Sequence, residues 1–255
     1  MDIQQFKQWV YKEFKIDLSA YKELQLNRRI VSLMNRNGYK TFDEYISALK
    51  VDKDLRQKFL DYITINVTEF FRNPDIFDGF NAELSKIIHS TTGQIKIWSA
   101  ACSIGAEPYS IAILMDKLGA LSRTKILATD IDMTILNRAQ KGEFSEQEIK
   151  NISSSDLNKY FLKSNDKYIV KDSIKKIIMF KRHDLIIDDY ENNFDAIVCR
   201  NVVIYFNSDV KDKIYEKFSK SLKKDGVFFV GATESIYNYK DYNFEKASTF
   251  IYKKR

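Results

Sequence analysis

Cysteine, histidine, proline and glycine are all scarce in this chain: two, two, two and eight residues out of 255. Two cysteines, Cys102 and Cys199, do not make a disulfide framework, and no Cys/His cluster has zinc spacing, so no metal is expected. Both read as packing residues. His89 and His183 have no paired partners in the sequence and are assigned no chemistry. Long apolar runs are missing too. Charged residues make up 30% of the chain and break every run well short of the roughly 18 residues of a membrane span. The opening MDIQQFKQWVYKEF has no charged-then-apolar leader, which predicts a reduced, cytoplasmic protein without direct membrane insertion. Nothing suggests an obligate dimer, and a monomer is expected.

What is present describes a folded protein. An apolar fraction of 44% with 14% aromatics excludes a disordered chain, and the length allows one large domain or two modest ones. Lys and Arg number 41 against 35 Asp and Glu, a net charge of +6. That excess is either a solvated surface or a face for an anionic partner, and charge alone does not choose.

The pattern changes partway along. Up to about residue 64, apolar residues recur at helical spacing: Ile3, Phe6, Trp9, Val10 and Phe14, then Leu24, Leu26, Ile30, Leu33 and Met34. Gly38 stops the second helix, Thr41 and Glu44 have capping-box spacing for a third, and a fourth runs from about Asp52 to Ile63. After Pro74, β-rich runs alternate with helical stretches. IKIWSA (95–100), KILATD (125–130), FDAIVC (194–199) and VFFVGA (227–232) are the strands, with helices near 107–118, 133–141 and 208–222. This is the grammar of a mostly parallel, doubly wound sheet, whose ligands sit beyond the carboxyl ends of the strands. Between about 153 and 183, two β-prone runs, KYIV and KIIMFK, predict a small hairpin excursion.

The strand ends carry the chemistry. SAACSIGAEPYS after the first strand is a turn of small residues opening a helix, with Glu107 at the helix start. It is neither GxGxxG nor a GK[ST] phosphate loop, and so suits an adenosyl ligand without phosphate. Asp130, at the tip of ATDID, has the position of a ribose ligand, and Asp132 that of a helix cap; either aspartate could cap. In CRNVVIYF, Arg200 and Asn201 expose polar groups at the pocket mouth. Asn201 reads equally as a turn former and Tyr205 as a core aromatic.

ITINVTEFFRNP, WSAACSIGAEPYSIA, ILATDID, FDAIVCRNVVIYF and VFFVGATES occur in that order after a helical bundle. Together they resemble the chemotaxis receptor methyltransferases, the CheR family, over essentially the whole chain. The resemblance implies an α/β fold: a class I S-adenosylmethionine-dependent methyltransferase (Rossmann-like) sheet with an N-terminal all-α domain and a small inserted β-subdomain. The parts would be residues 1–72, helical domain and linker, and 73–255, with the insertion at about 153–183. It implies S-adenosylmethionine as methyl donor, S-adenosylhomocysteine as product, and receptor glutamates as acceptors, esterified for sensory adaptation. By the same resemblance Asn66, Thr68 and Arg72 close over the cofactor, and Glu107 and Asp130 bind it. Asp184–Leu185 and Asn201–Val202 flank its adenine and sulfur ends, and Tyr205, with Arg72, faces the transferring methyl. Ile104, Ala106 and Ala232 depart from the family pattern, which usually has polar residues there.

A sulfonium brings its own leaving group, and a glutamate with a pKa of about 4.3 is already ionised at neutral pH, so no catalytic base is sought. Positioning of the two reactants contributes on the order of 7–11 kcal/mol. The partner implied is the glutamate-rich cytoplasmic helical domain of methyl-accepting receptors, with recruitment of the enzyme to membrane receptor arrays. Lys22, Arg28, Arg29 and Arg36 cluster in the second predicted helix as its contact, although scattered cations on a helix are often only solvated. A short, glycine-free segment between KYIV and KIIMFK leans toward a member that needs no receptor tail. Two other readings compete. A nucleic-acid methylase would suit the basic charge, but NVVIYF lacks the proline turn of base methylases, so no nucleic acid is expected. A non-catalytic receptor-binding module would suit the altered turn, against which Asp130 and Tyr205 are retained.

Overall fold

Side-chain caps decide where the N-terminal helices begin. In the computed structural model, which describes residues 1–64 and 68–255, Asp2 accepts the Gln5 N–H and the Gln5 side chain returns to the Asp2 N–H, starting α1 at Ile3–Phe14. Helix α2 (Glu23–Arg36) ends where Gly38 takes a left-handed φ of 86°. The expected Thr41–Glu44 box then starts α3 (Phe42–Val51), and α4 (Lys53–Thr64) follows. Their apolar faces meet on Phe6, whose ring lies 4.9 Å from Phe42 and 5.8 Å from Phe59, with Val10, Ile30, Tyr45 and Leu49 buried alongside. Leu24, expected in the α2 stripe, is 77% exposed; the buried face is Leu26, Ile30, Leu33 and Met34.

The chain divides into two units, Met1–Asn66 with Tyr205–Lys211, and Val67–Ile204 with Asp212–Arg255. The 205–211 segment is tied into the helical unit by backbone bonds from Lys22 to the Tyr205 carbonyl and from Asn207 to the Ala20 carbonyl, and by the Tyr21 ring edge-on to Phe206.

The second unit opens with α5 (Pro74–Ser90), its proline in the first turn where the missing N–H costs nothing. Strand β1 (Ile95–Ala100), α6 (Ala106–Lys117), β2 (Thr124–Asp130) and α7 (Met133–Lys141) follow. After them come β3 (Glu143–Ser145), α8 (Ser154–Tyr160), β4 (Phe161–Ser164), β5 (Lys167–Val170), α9 (Asp172–Lys175) and β6 (Ile178–Arg182). The chain finishes with β7 (Phe194–Cys199), α10 (Ser208–Ser221), β8 (Leu222–Val230), β9 (Phe244–Ser248) and β10 (Ile251–Lys254). The main sheet has the order β6-β2-β1-β7-β8-β10-β9, parallel through β8 and antiparallel at the β8-β10-β9 edge. Central strand β7 is buried at every position, as a strand covered on both faces must be.

The predicted KYIV–KIIMFK hairpin does not form. KYIV pairs with FLKS before it and with Glu143–Ser145, making a separate three-stranded sheet in the order β3-β5-β4. The last four residues of the second run, with Arg182 after them, instead lie parallel to β2 as the edge strand of the main sheet. The two runs are alike in β propensity and both pack on the same core, through Tyr168 and Val170 in one and Ile178 and Phe180 in the other, so only the strands they pair with separate them. The hairpin turn is Asn165–Asp166, with Asn165 left-handed at φ 51°, and the glycine-free segment taken for a loop carries the short helix α9.

Candidate active site

The carboxyl ends of β6, β2, β1, β7 and β8 lie side by side in the sheet, and polar residues stand at or just beyond those of β6, β2 and β7: Arg182 to Asp184, Asp130, and Arg200 with Asn201. After β1 the backbone crosses into α6 through three left-handed residues, Ala101, Ser103 and Gly105. At Gly105 a Cβ would lie 3.1 Å from the Ala139 Cβ and from the Tyr109 ring, so only glycine lets the turn pack on α7. For Ala101 and Ser103 the conformation costs on the order of 1–2 kcal/mol each. Asp130 helps hold it: one carboxylate oxygen accepts the Ser103 N–H at 2.8 Å and the other the Asp132 N–H at 3.1 Å. Asp132 caps α7 through the Thr134 and Ile135 N–H groups, which settles which aspartate caps. Asp130 is thus a buried carboxylate at the tip of β2, and desolvation pushes its pKa up to about 6.

Glu107, in the first turn of α6, is buried and accepts the Ser99 hydroxyl at 2.8 Å. Burial raises its pKa, opposed by the Arg200 guanidinium 3.8 Å away and by the charge of Arg72. Arg200 does not stand at a pocket mouth as expected. It is 6% exposed, lies over the Phe77 and Phe229 rings, and donates to the Arg72 carbonyl at 2.7 Å and the Asn73 side chain at 3.0 Å. An arginine at the end of a fully buried strand turns inward because its planar head finds carbonyl, carboxylate and aromatic faces there. It anchors the 70–73 segment to the strand end. The Ser110 hydroxyl adds a second anchor by accepting the Phe71 N–H at 3.0 Å.

Beyond β7, Asn201 is left-handed at φ 60°, and the N–H groups of Asn201 and Val202 both go to the Glu234 carboxylate. Beyond β6, Asp184 is 2% exposed and accepts the Ile186 N–H on one oxygen; desolvation raises its pKa. Its other oxygen, the Asn201 side-chain oxygen and the Ser103 hydroxyl are buried without a partner. An unsatisfied buried polar group costs about 1–3 kcal/mol. Three of them along one strand-end edge, beside a turn without a phosphate cradle, fit a ligand that offers amine and hydroxyl donors, as a nucleoside does. Cys102 and Cys199 have thiols pushed up by burial and are packing residues.

Of the residues expected from sequence, Arg72, Glu107, Asp130, Asp184, Leu185, Asn201 and Val202 all fall at or beside these strand ends in the second unit. Thr68 is half-buried in the segment leading to Arg72, and Asn66 lies outside the described residues. Tyr205 belongs with the helical unit, where it lines a small hollow with Tyr21, Lys22, Gln25 and Arg29. Arg29 and Arg36 both lie over the Tyr62 ring, at 4.7 and 4.9 Å, and Arg29 also donates to the Tyr62 carbonyl. Arg28 lines a surface groove with Ile3, Val31 and Phe42. Sequence reasoning missed Glu234 and Ser99. A glutamate four residues beyond the last parallel strand, in GATES, is the one signal that pointed to the first.

Comparison with known proteins places both units. A family model described as CheR methyltransferase, SAM binding domain, matches residues 66–251, and one described as CheR methyltransferase, all-alpha domain, matches residues 1–64. The chain is 40% identical to a chemotaxis protein methyltransferase of Listeria monocytogenes, over 97% of this chain and 95% of that protein. It is 37% identical to one from Borreliella burgdorferi, covering 94% and 90%, and 34% identical to one from Salmonella typhimurium, covering 91% and 82%.

Proposed function

The chain belongs to the CheR methyltransferase family, and we infer that it transfers the methyl group of S-adenosylmethionine to glutamate side chains of chemotaxis receptors, leaving glutamyl methyl esters. The observation that carries the reading within the site is Asp130: a buried carboxylate at the tip of β2, beside a turn of small residues that has no phosphate cradle. The donor supplies an activated methyl on a sulfonium. Asp130 accepts the ribose hydroxyls, and the partnerless oxygen of Asp184, next to Leu185, accepts from the adenine amine. Asn201 and Val202 flank the sulfur end, Glu107 stands at the floor of the turn, and Asn66, Thr68 and Arg72 close the site from the linker. In this reading residues 1–72 form the helical domain with its linker, and 73–255 the catalytic domain.

The acceptor glutamate arrives ionised, so no residue of this chain has to remove a proton. Tyr205 and Arg72 orient the incoming carboxylate, and the enclosure of the strand ends strips its water. Charge is neutralised as the methyl passes, and a weakly polar enclosure favours that transition state. Arg28, Arg29 and Arg36 of α2 face the glutamate-rich cytoplasmic helices of the receptor. The protein acts as a monomer in the cytoplasm, recruited to receptor arrays. Among the described residues no helix is long and apolar enough to cross a membrane. The test is methyl-labelled donor with receptor-containing membranes: label on the receptor, released by base, is expected. Label on nucleic acid, or none at all, overturns the reading.

A further inference from the structure

Strand β8 ends at Val230, and the chain turns back through Gly231 so that Glu234 reaches the neighbouring strand end. The Glu234 N–H closes this turn on the Gly231 carbonyl at 2.9 Å. Its side chain is 4% exposed, yet both oxygens are used. One accepts the Asn201 N–H at 2.6 Å and the Gly231 N–H at 2.8 Å; the other accepts the Val202 N–H at 3.1 Å. A Cβ at residue 231 would lie 2.4 Å from that first oxygen and 3.0 Å from the Asn201 nitrogen, so the glycine is what lets the carboxylate in. The residue so gripped, Asn201, is the left-handed one.

The charge of Glu234 has no partner at close range. Among the described residues no lysine or arginine comes within ion-pair distance of it; Arg200, 3.8 Å from Glu107, acts on it only from farther off, and burial raises the Glu234 pKa. Backbone N–H groups satisfy the lone pairs, but they do not cancel the charge, and a buried charge is felt more strongly than an exposed one.

We propose that Glu234 is a positioning residue for methyl transfer, holding Asn201 and Val202 in their turn and biasing that turn toward a cationic sulfonium over the neutral thioether left after transfer. The inference rests on the reading of Asn201–Val202 as the sulfur-end flank. A preference expressed in the ground state tightens donor binding and favours exchange of product for donor, without accelerating the chemical step itself.

The test is calorimetric titration of the full chain with S-adenosylmethionine and with S-adenosylhomocysteine. Glu234→Gln keeps the size, removes the charge and sets an amide N–H against a backbone N–H. It is expected to weaken the sulfonium donor at least tenfold and the thioether product less, shifting the ratio of the two Kd values at least threefold toward product. Glu234→Asp keeps the charge but withdraws it from the three N–H groups, so both ligands weaken while their ratio stays within twofold of wild type. A merely structural role would move both ligands equally in the Gln variant, and that result overturns the inference. So does unchanged binding of both ligands by either variant, which keeps the question decidable if only the Asp variant folds. Wild-type protein that binds neither ligand overturns the functional reading and this inference together.

Discussion

Replacing Arg200 by methionine removes more than one contact. The guanidinium bonds to the Arg72 carbonyl at 2.7 Å and the Asn73 side chain at 3.0 Å, and it stands 3.8 Å from the Glu107 carboxylate, with side chains only 2% and 11% exposed. Methionine fills much of the volume between Phe77 and Phe229 but leaves Glu107 with the Ser99 hydroxyl as its remaining bond. Breaking a buried pair from one side costs about 3–5 kcal/mol, because the survivor keeps its desolvation penalty without its compensation. For a unit of this size each kcal/mol moves Tm by about 2–4 °C, so a fall of roughly 10 °C is expected. The same penalty makes the effect non-additive. Glu107→Gln removes the orphaned charge, and the double variant should be more stable than the sum of the singles by about 1–3 kcal/mol. The chain has one tryptophan in each unit, Trp9 and the buried Trp98. In a Trp9→Phe background, urea unfolding followed by fluorescence therefore reports the second unit alone. Additivity within about 0.5 kcal/mol would show that the two charges do not sense each other, and the account of Arg200 as an electrostatic anchor would fail.

The pKa of Asp130, at about 6, gives a pH prediction with a definite sign. Its carboxyl takes a proton more readily folded than unfolded, so its contribution to stability falls as pH rises from about 4 to 6 and is level above. Ligand binding runs the other way: the ribose hydroxyls need the ionised acceptor, so S-adenosylhomocysteine affinity should drop about tenfold between pH 7 and pH 5. Titration calorimetry at the two pH values checks this, and Asp130→Asn should be weak and flat across that range. On α2, Arg28→Glu should raise the receptor KM without lowering Tm. Arg29→Glu should do both, since Arg29 also binds the Tyr62 carbonyl and ring; equal Tm values for the two variants would count against that division. Thr41→Ala should remove the α3 cap and lower the stability of the helical unit by about 1 kcal/mol, read by urea unfolding on Trp9 fluorescence in a Trp98→Phe background, with donor binding unchanged.

Much of the fold was legible because periodicity and capping are local. The α1 stripe, the Thr41–Glu44 box, the α7 limits of Met133–Lys141 and the mostly apolar run of β7 all stand in the sequence as they stand in the structure. The inserted sheet was not legible in the same way. KYIV and KIIMFK are equally β-prone, and which sheet each joins is decided by partners far away: Glu143–Ser145 for one and Ile126–Asp130 for the other. Local propensity carries no information about a partner 24 residues away, as Phe144 is from Tyr168, or 52, as Ile126 is from Ile178.

The site divides along the same line. Asp130 and Asp132 could be placed, one at a strand tip and the other opening a helix, because both positions follow from the local pattern; which of them caps α7 was decided by the structure. Arg200 was misplaced because its environment is assembled from four other stretches of chain: Arg72 and Asn73, Phe77, Glu107 and Phe229. Glu234 was missed for the same reason, since its three donors come from two strand ends that the sheet alone makes neighbours. A charged residue inside an apolar run is read as exposed when the sequence is taken by itself, because burying a lone charge is expensive. Around this sheet that inference inverts. The turns that follow β1, β7 and β8 are left-handed or glycine-dependent, with N–H groups that strand pairing does not use. Buried carboxylates, Asp130 at the tip of β2 and Glu234 beyond β8, are what satisfy them. The acidic residues at the strand ends therefore stabilise the same bends that leave room for a ligand, so substituting any one of them should disturb fold and binding together, in proportions that only paired measurements separate.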